Sequence, residues 1–183
     1  MIGHNNYDDV LSFWFHEIEP AKWWLKDIHF DALIKHRFLA LHEQAKKCEL
    51  FEWRDSAKGR LAEIIVLDQF SRNIFRDSPQ AFSADPLALA LSQEAISLAK
   101  HKDLNQIERS FLYMPYMHSE SLSIHDIAVE LYTDNGIQSN LDFEIQHRDI
   151  IEKFGRYPHR NSILNRLSTA EEIVFLKQAN SSF

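Results

Sequence analysis

The sequence predicts an all-helical fold, a single domain over residues 1–183 built from stacked antiparallel helical hairpins. Three observations carry that prediction. The chain has only 4 glycines and 5 prolines in 183 residues, too little turn material for strands at short intervals. Apolar residues recur at helical spacing through most of its length. Helix starts near residues 27, 56, 85 and 118 repeat at a period of about thirty residues, as in stacked helical hairpins, although no sequence repeat lies beneath that spacing.

The elements follow in order. A short amphipathic stretch, Tyr7 to His16, precedes a break at Pro20. From Asp27 to Cys48 a stripe of Phe30, Leu33, Ile34, Phe38, Leu41, Ala45 and Cys48 predicts one long helix facing a core. Ser56 to Phe75 contains Leu61, Ala62, Ile64, Ile65, Val66 and Leu67 in close succession, and apolar character on nearly every side marks a central helix. Asp85 followed by Pro86 reads as an N-cap with proline in the first helical position, opening a helix to about Lys100. Asn105 to Met114 is helical up to Pro115, and a further helix is expected from about His118 to Tyr132, ended by Asn135 and Gly136. Leu141 to Phe154 places Phe143, Ile150, Ile151 and Phe154 on one face and stops at Gly155. Ser168 and Glu171 have capping-box spacing, before a last helix to about Ala179.

Composition narrows the functional classes. Hydrophobic residues are 45% and charged residues 26% of the chain, the balance of a globular protein. A net charge of -7 lacks the basic footprint expected of a nucleic-acid binder. No apolar run approaches a membrane span, and Met1 to Tyr7 lacks the basic region of a signal peptide. The lone cysteine, Cys48, allows no internal disulfide and fits the cytoplasm. On its apolar stripe it reads as a buried small hydrophobe rather than a nucleophile. The four tryptophans, Trp14, Trp23, Trp24 and Trp53, read as packing residues.

The chemistry-bearing candidates are polar residues on apolar faces. Asp68 and Arg72 are four apart on the central helix and share a stripe with Leu61, Ile64 and Ile65. Such a pair is either an internal tie or the floor of a ligand site. His147 lies between Phe143 and Ile151, facing inward. His118 shares a face with Leu122 and His125 if the helix has begun by then, with Glu120 in a first turn that favours a carboxylate. The stretch from His147 to Arg166 is net basic, and Gly155, Pro158, His159 and Arg160 form a rigid turn into a short helix. Arg156 and Arg160 there suit either an anion or the C-termini of neighbouring helices. No zinc-protease, paired-cysteine, nucleophile-elbow or phosphate-loop motif is present. The His125–Asp126 dipeptide is a weak metal signal, and no metal or cofactor is expected.

Five stretches resemble the bacterial domain-of-unknown-function family 924: LDQFSRNIF from Leu67, FSADPLALA from Phe82, FLYMPYMHSE from Phe111, HRDIIEKFGRYPHRN from His147 and STAEE from Ser168. The resemblance implies a fold like that of tetratricopeptide-repeat proteins, a right-handed superhelix, and transfers no catalytic role. This chain departs from the family at Ser71, Ser121, His125 and Asn165, where proline, an acidic residue, glutamine and glycine are usual. A His-Asp dipeptide formed by such a departure is no shared metal site. The family's stretches include Asp68, Arg72, His118, Glu120, His147, Arg156, His159 and Arg160, and these eight are the expected ligand-binding set, converging in one polar pocket. The expected function is binding of a small anionic or phosphorylated ligand or the acidic end of a peptide. Arg156 and Arg160 would supply charge, His118 and His147 hydrogen bonds, and Asp68 would orient Arg72. One alternative is a hydrolase, metal-assisted or not, using His147 or His118 as general base, with Glu120 or Asp68 orienting it. Another is a purely structural network in an interaction scaffold.

Overall fold

A computed structural model of the chain describes residues 6–179 and 181. Among the described residues all regular structure is helical and no strand occurs. The part of the N-terminal reading that falls on residues 1–5 lies outside them. The chain divides into two compact units: one runs to Arg76 and resumes from Gln80 to Pro115, the other holds Asp77–Pro79 and everything from Tyr116 onward. No helix among the described residues is long and apolar enough to cross a membrane.

In the first unit, α1 (Tyr7–Ser12) continues into a π-helical turn, Phe13–Glu17. Phe13 and Trp14 on that turn are buried in an aromatic cluster with Phe30, Phe38 and Phe70. The Trp23 indole N–H donates to the Trp14 carbonyl at 2.9 Å. Helix α2 (Ile28–Lys46) starts where the Asp27 carboxylate accepts the His29 and Phe30 backbone N–H groups at 2.8 and 3.2 Å, satisfying donors that a helix start leaves open. It buries Phe30, Ile34, Phe38, Leu41 and Ala45. The expected stripe fails at two members. Leu33 is exposed, and Cys48 lies past the helix end, exposed, with φ of 58°, so it is no core residue.

The central element is α3 (Ala57–Ile65), a π-helical turn (Val66–Phe70) and α4 (Ser71–Ile74), running without a break. Every residue from Gly59 to Ser71 is buried, Arg60, Glu63, Asp68 and Gln69 included. Gly59 is required by a close approach: a Cβ there would lie 2.0 Å from the Trp53 carbonyl oxygen. Helix α5 (Asp85–Ser97) has Ala84 at its N-cap. Asp85 is therefore already helical and is not the cap. Helix α6 (Gln106–Met117) runs through Pro115 instead of stopping there. So close to the C-terminus, the missing proline N–H removes a single helical bond.

The second unit has α7 (Leu122–Asn135) and α8 (Gln138–Phe154) joined through Gly136. That tight link turns them into an antiparallel hairpin. Gly136 and Gly155 close the two helices with φ of 78° and 68°, as left-handed caps do. Helix α7 begins at Leu122, later than expected, so His118 and Glu120 lie in the turn before it. Phe143 is exposed on α8, whose buried residues are Glu144, His147, Ile150 and Ile151. Ile150, Ile151 and Tyr157 form one apolar core cluster, with Leu122, Phe154 and Phe175 packed on it. Helix α9 (Ala170–Phe175) ends four residues before the expected Ala179. Its capping box is Thr169–Glu172, one residue beyond the expected Ser168–Glu171. That register turns Glu172 inward, while the Ser168 hydroxyl accepts from Asn161 at 3.1 Å.

Candidate functional site

The eight expected residues fall into two groups, two in the first unit and six in the second. Asp68 sits on the π-helical turn with 1% of its side chain exposed. Its Oδ1 is 3.2 Å from Arg72 Nη1, and its Oδ2 accepts from Gln69 Nε2 at 2.6 Å. Arg72 also donates to the Asp68 carbonyl at 2.9 Å and forks onto Asp85 at 3.0 and 3.1 Å. The i,i+4 pair is present, but it belongs to a triad in which one guanidinium bridges two carboxylates. Asp85 escapes a sequence reading as its partner because it lies thirteen positions further along the chain than Arg72.

In the second unit Glu120 faces Arg166, whose fork meets it at 2.7 and 2.8 Å. It also accepts the Tyr157 backbone N–H at 2.7 Å. Burial disfavours its charge, but the Arg166 hydrogen bonds, the Tyr157 N–H and the charges of Arg166 and Arg160 outweigh burial and hold the carboxyl below its usual range. Glu120 is thus a tie between turns and not a helix N-terminal charge. Arg156 likewise forks onto Glu172 at 2.7 and 2.9 Å and donates to the Leu167 carbonyl at 2.8 Å. With that guanidinium, the Thr169 N–H and Asn161 around it, Glu172 is held down to about 2. Neither Arg166 nor Glu172 was visible as a partner in the sequence.

Of the remaining four, His147, His159 and Arg160 gather about Tyr157, and His118 is tied to them through its backbone carbonyl. The rings of His125, His147 and His159 lie 6.3, 5.8 and 5.5 Å from the Tyr157 ring, and the Arg160 guanidinium stands 4.7 Å from its centre. Arg160 Nη2 donates to the His118 carbonyl at 3.0 Å, just past the end of α6. His118 and His159 are half-buried, whereas His147 is buried. The His147 Nδ1–H donates to the Phe143 carbonyl at 2.7 Å, which fixes the tautomer. Burial, against that hydrogen bond and with the help of His118, His125 and His159 nearby, lowers it to about 3. His147 is therefore neutral over the physiological range.

His125 and Asp126 point apart, as consecutive helical residues must. His125 turns inward to Glu144 at 2.6 Å, and Asp126 turns outward to Arg148 at 2.9 Å. Among the described residues no three histidine, cysteine or acidic side chains are placed to hold a metal ion. Glu144, wholly buried, was missed because a glutamate flanked by Phe143 and Ile145 gives no sign of which face turns inward.

Fold and site together define an all-α protein with a histidine-rich polar cluster in its second unit. The chain belongs to the family described as bacterial protein of unknown function (DUF924), whose model matches residues 10–180. It is similar to the solved structure of a protein of unknown function from Agrobacterium tumefaciens, with 37% identity and a TM-score of 0.89, covering 93% of this chain and 96% of that one. Comparison with curated proteins found no match.

Proposed function

We propose that the chain is a helical binding domain for a small anionic or phosphorylated ligand or the acidic end of a peptide, held by His118, His147, His159 and Arg160. The observation that carries this reading is the gathering of histidine rings and the Arg160 guanidinium around Tyr157, with His118 and His159 reaching the half-exposed layer. Arg160 supplies the charge, because His147 at about 3 is neutral and can only hydrogen-bond. Arg156 and Glu120, with close ion-pair partners of their own, serve as ties that hold the two turns. The hydrolase alternative draws little support at His147: a base at about 3 is poorly matched to neutral pH, and the Glu120 carboxylate is engaged by the Arg166 fork. The proposal retains cytoplasmic residence and the tetratricopeptide-like reading, the latter supported by the α7–α8 hairpin.

Titration of isotope-labelled protein with inorganic phosphate tests the proposal. Saturable shifts of the His118 and His159 ring resonances are expected. Arg160→Gln should weaken them on the order of tenfold or more, since a charge-assisted hydrogen bond is at stake. Arg156→Gln should lower stability with little change in affinity. Wild-type histidine resonances that do not move in phosphate or with an acidic peptide would sink the reading.

A further inference from the structure

The buried pair beside this cluster carries an inference of its own. His125 on α7 and Glu144 on α8 have no exposed side-chain surface. His125 Nε2 lies 2.8 Å from the Ser119 carbonyl oxygen. A carbonyl oxygen only accepts, so Nε2 carries a hydrogen. Nδ1 lies 2.6 Å from Glu144 Oε1, a separation that requires one hydrogen between them. That hydrogen sits either on the imidazole, giving an imidazolium and a carboxylate, or on the carboxyl group, giving a neutral pair.

The second carboxyl oxygen discriminates. Glu144 Oε2 is buried and receives no hydrogen bond among the described residues. An ionised carboxylate carries half its charge on that oxygen, and bare burial of charge costs far more than bare burial of an acid's carbonyl oxygen. We propose that Glu144 is a neutral carboxylic acid at neutral pH that donates its proton to His125 Nδ1. The shared proton acts as a latch on the surrounding turns. His125 fixes Ser119 through Nε2 and lies 3.2 Å from the Tyr157 hydroxyl, which itself donates to the Met117 carbonyl at 2.5 Å. What the latch serves, the cluster around Tyr157, rests on the proposed binding function; its protonation state does not.

The neighbouring ionisable groups leave the assignment in place. Arg148, one turn along α8, is engaged by Asp126 and Glu152 at 2.9 and 3.1 Å. Glu120 in the preceding turn is paired with Arg166, and Arg160 donates to the His118 carbonyl. His118, His147, His159 and Tyr157 complete the set on the packed turns and on α8. Burial pushes the Glu144 carboxyl upward, against the His125 hydrogen bond and the His125 and Arg148 charges, in the direction the geometry requires.

The folded chain keeps a proton that the unfolded chain releases near 4.5. The stabilisation from this group is therefore complete below 4.5 and is lost as pH rises through the folded value. In Glu144→Gln the amide N–H donates to Nδ1 with no proton to lose. The melting temperatures of wild type and Glu144→Gln should match in acid and separate as pH rises, with the variant the more stable. A variant less stable than wild type at neutral pH would overturn the proposal, because an imidazolium would then have lost its counter-charge. Nitrogen-15 spectra of the wild-type chain decide the same point without a variant. One acceptor-type and one protonated ring nitrogen on His125 are expected at neutral pH, and two protonated nitrogens would refute the neutral pair. Both results are independent of whether phosphate binds.

Discussion

At the scale of single residues, a polar side chain on an apolar stripe announces that it must have a partner, because unpaired burial is expensive. The sequence therefore picked out Asp68, Arg72 and His147 as costly; Asp68 and His147 find partners within a turn, at Arg72, Gln69 and the Phe143 carbonyl, but the other ion-pair partners lie far along the chain. Arg72 meets Asp85, Arg156 meets Glu172 and Glu120 meets Arg166, at separations that no helical periodicity encodes. Backbone conformation is likewise hidden in residue types that do not advertise it. Ala99, just past the end of α5, has φ of 56° and ψ of 16°, held by its N–H donating to the Ile96 carbonyl at 2.9 Å. A Cβ in that region costs about 1 kcal/mol or more, and the position is the one where helices usually end on glycine. Ala99 is exposed, so little packing is lost on removing its methyl group. Ala99→Gly should raise stability by roughly 0.5 kcal/mol after the glycine's greater unfolded-state freedom is subtracted, read as a higher denaturant midpoint at unchanged slope. An unchanged or lower midpoint would mean that the left-handed turn carries no strain.

At the scale of elements, helices were legible wherever a cap or an uninterrupted apolar face marked them. Asp27 and Ser56 both accept backbone N–H groups at helix starts, and the central helix is buried as its composition required. Registers were less legible. Serine and threonine are adjacent at 168 and 169, and two glutamates follow at 171 and 172, so local pattern allows either capping box. Tertiary packing selects Thr169–Glu172, because only then does a carboxylate turn inward to Arg156, while Glu171 reaches Lys153 at the surface. This choice has a pH signature. Glu172, 2% exposed and held at about 2 against an ordinary 4.5, contributes stability that is complete above 4.5 and is lost as pH falls towards 2. Glu172→Gln should cost roughly 2 to 3 kcal/mol at neutral pH, with screening at the partly exposed Arg156 taken into account. The stability difference between wild type and variant should close as pH falls from 4.5 towards 2. A difference independent of pH over that range would show that the ion pair is not its source.

At the scale of the whole molecule, length and composition predicted one domain, and helical content left no room for a sheet. Composition carries no information on how contacts cluster, and the division into two compact units follows from packing that the sequence does not display. One element belongs to both: α6 runs from Gln106 to Met117, and the boundary between Pro115 and Tyr116 falls inside it. Melting one unit alone would leave a truncated helix, and short isolated helices are marginal in water. The second unit has about 70 residues, a size at which burial alone leaves little stability to spare. We therefore expect a single cooperative unfolding transition, and the placement of the chromophores makes it measurable without mutation. All four tryptophans, Trp14, Trp23, Trp24 and Trp53, belong to the first unit, so their fluorescence follows that unit alone. Far-ultraviolet circular dichroism follows the helices of both units, α7 and α8 included. In a two-state chain the two probes trace superimposable curves in denaturant. Separate midpoints, or a dichroism curve with a second step after the fluorescence change is complete, would show instead that the second unit folds on its own and that α6 can divide at Pro115.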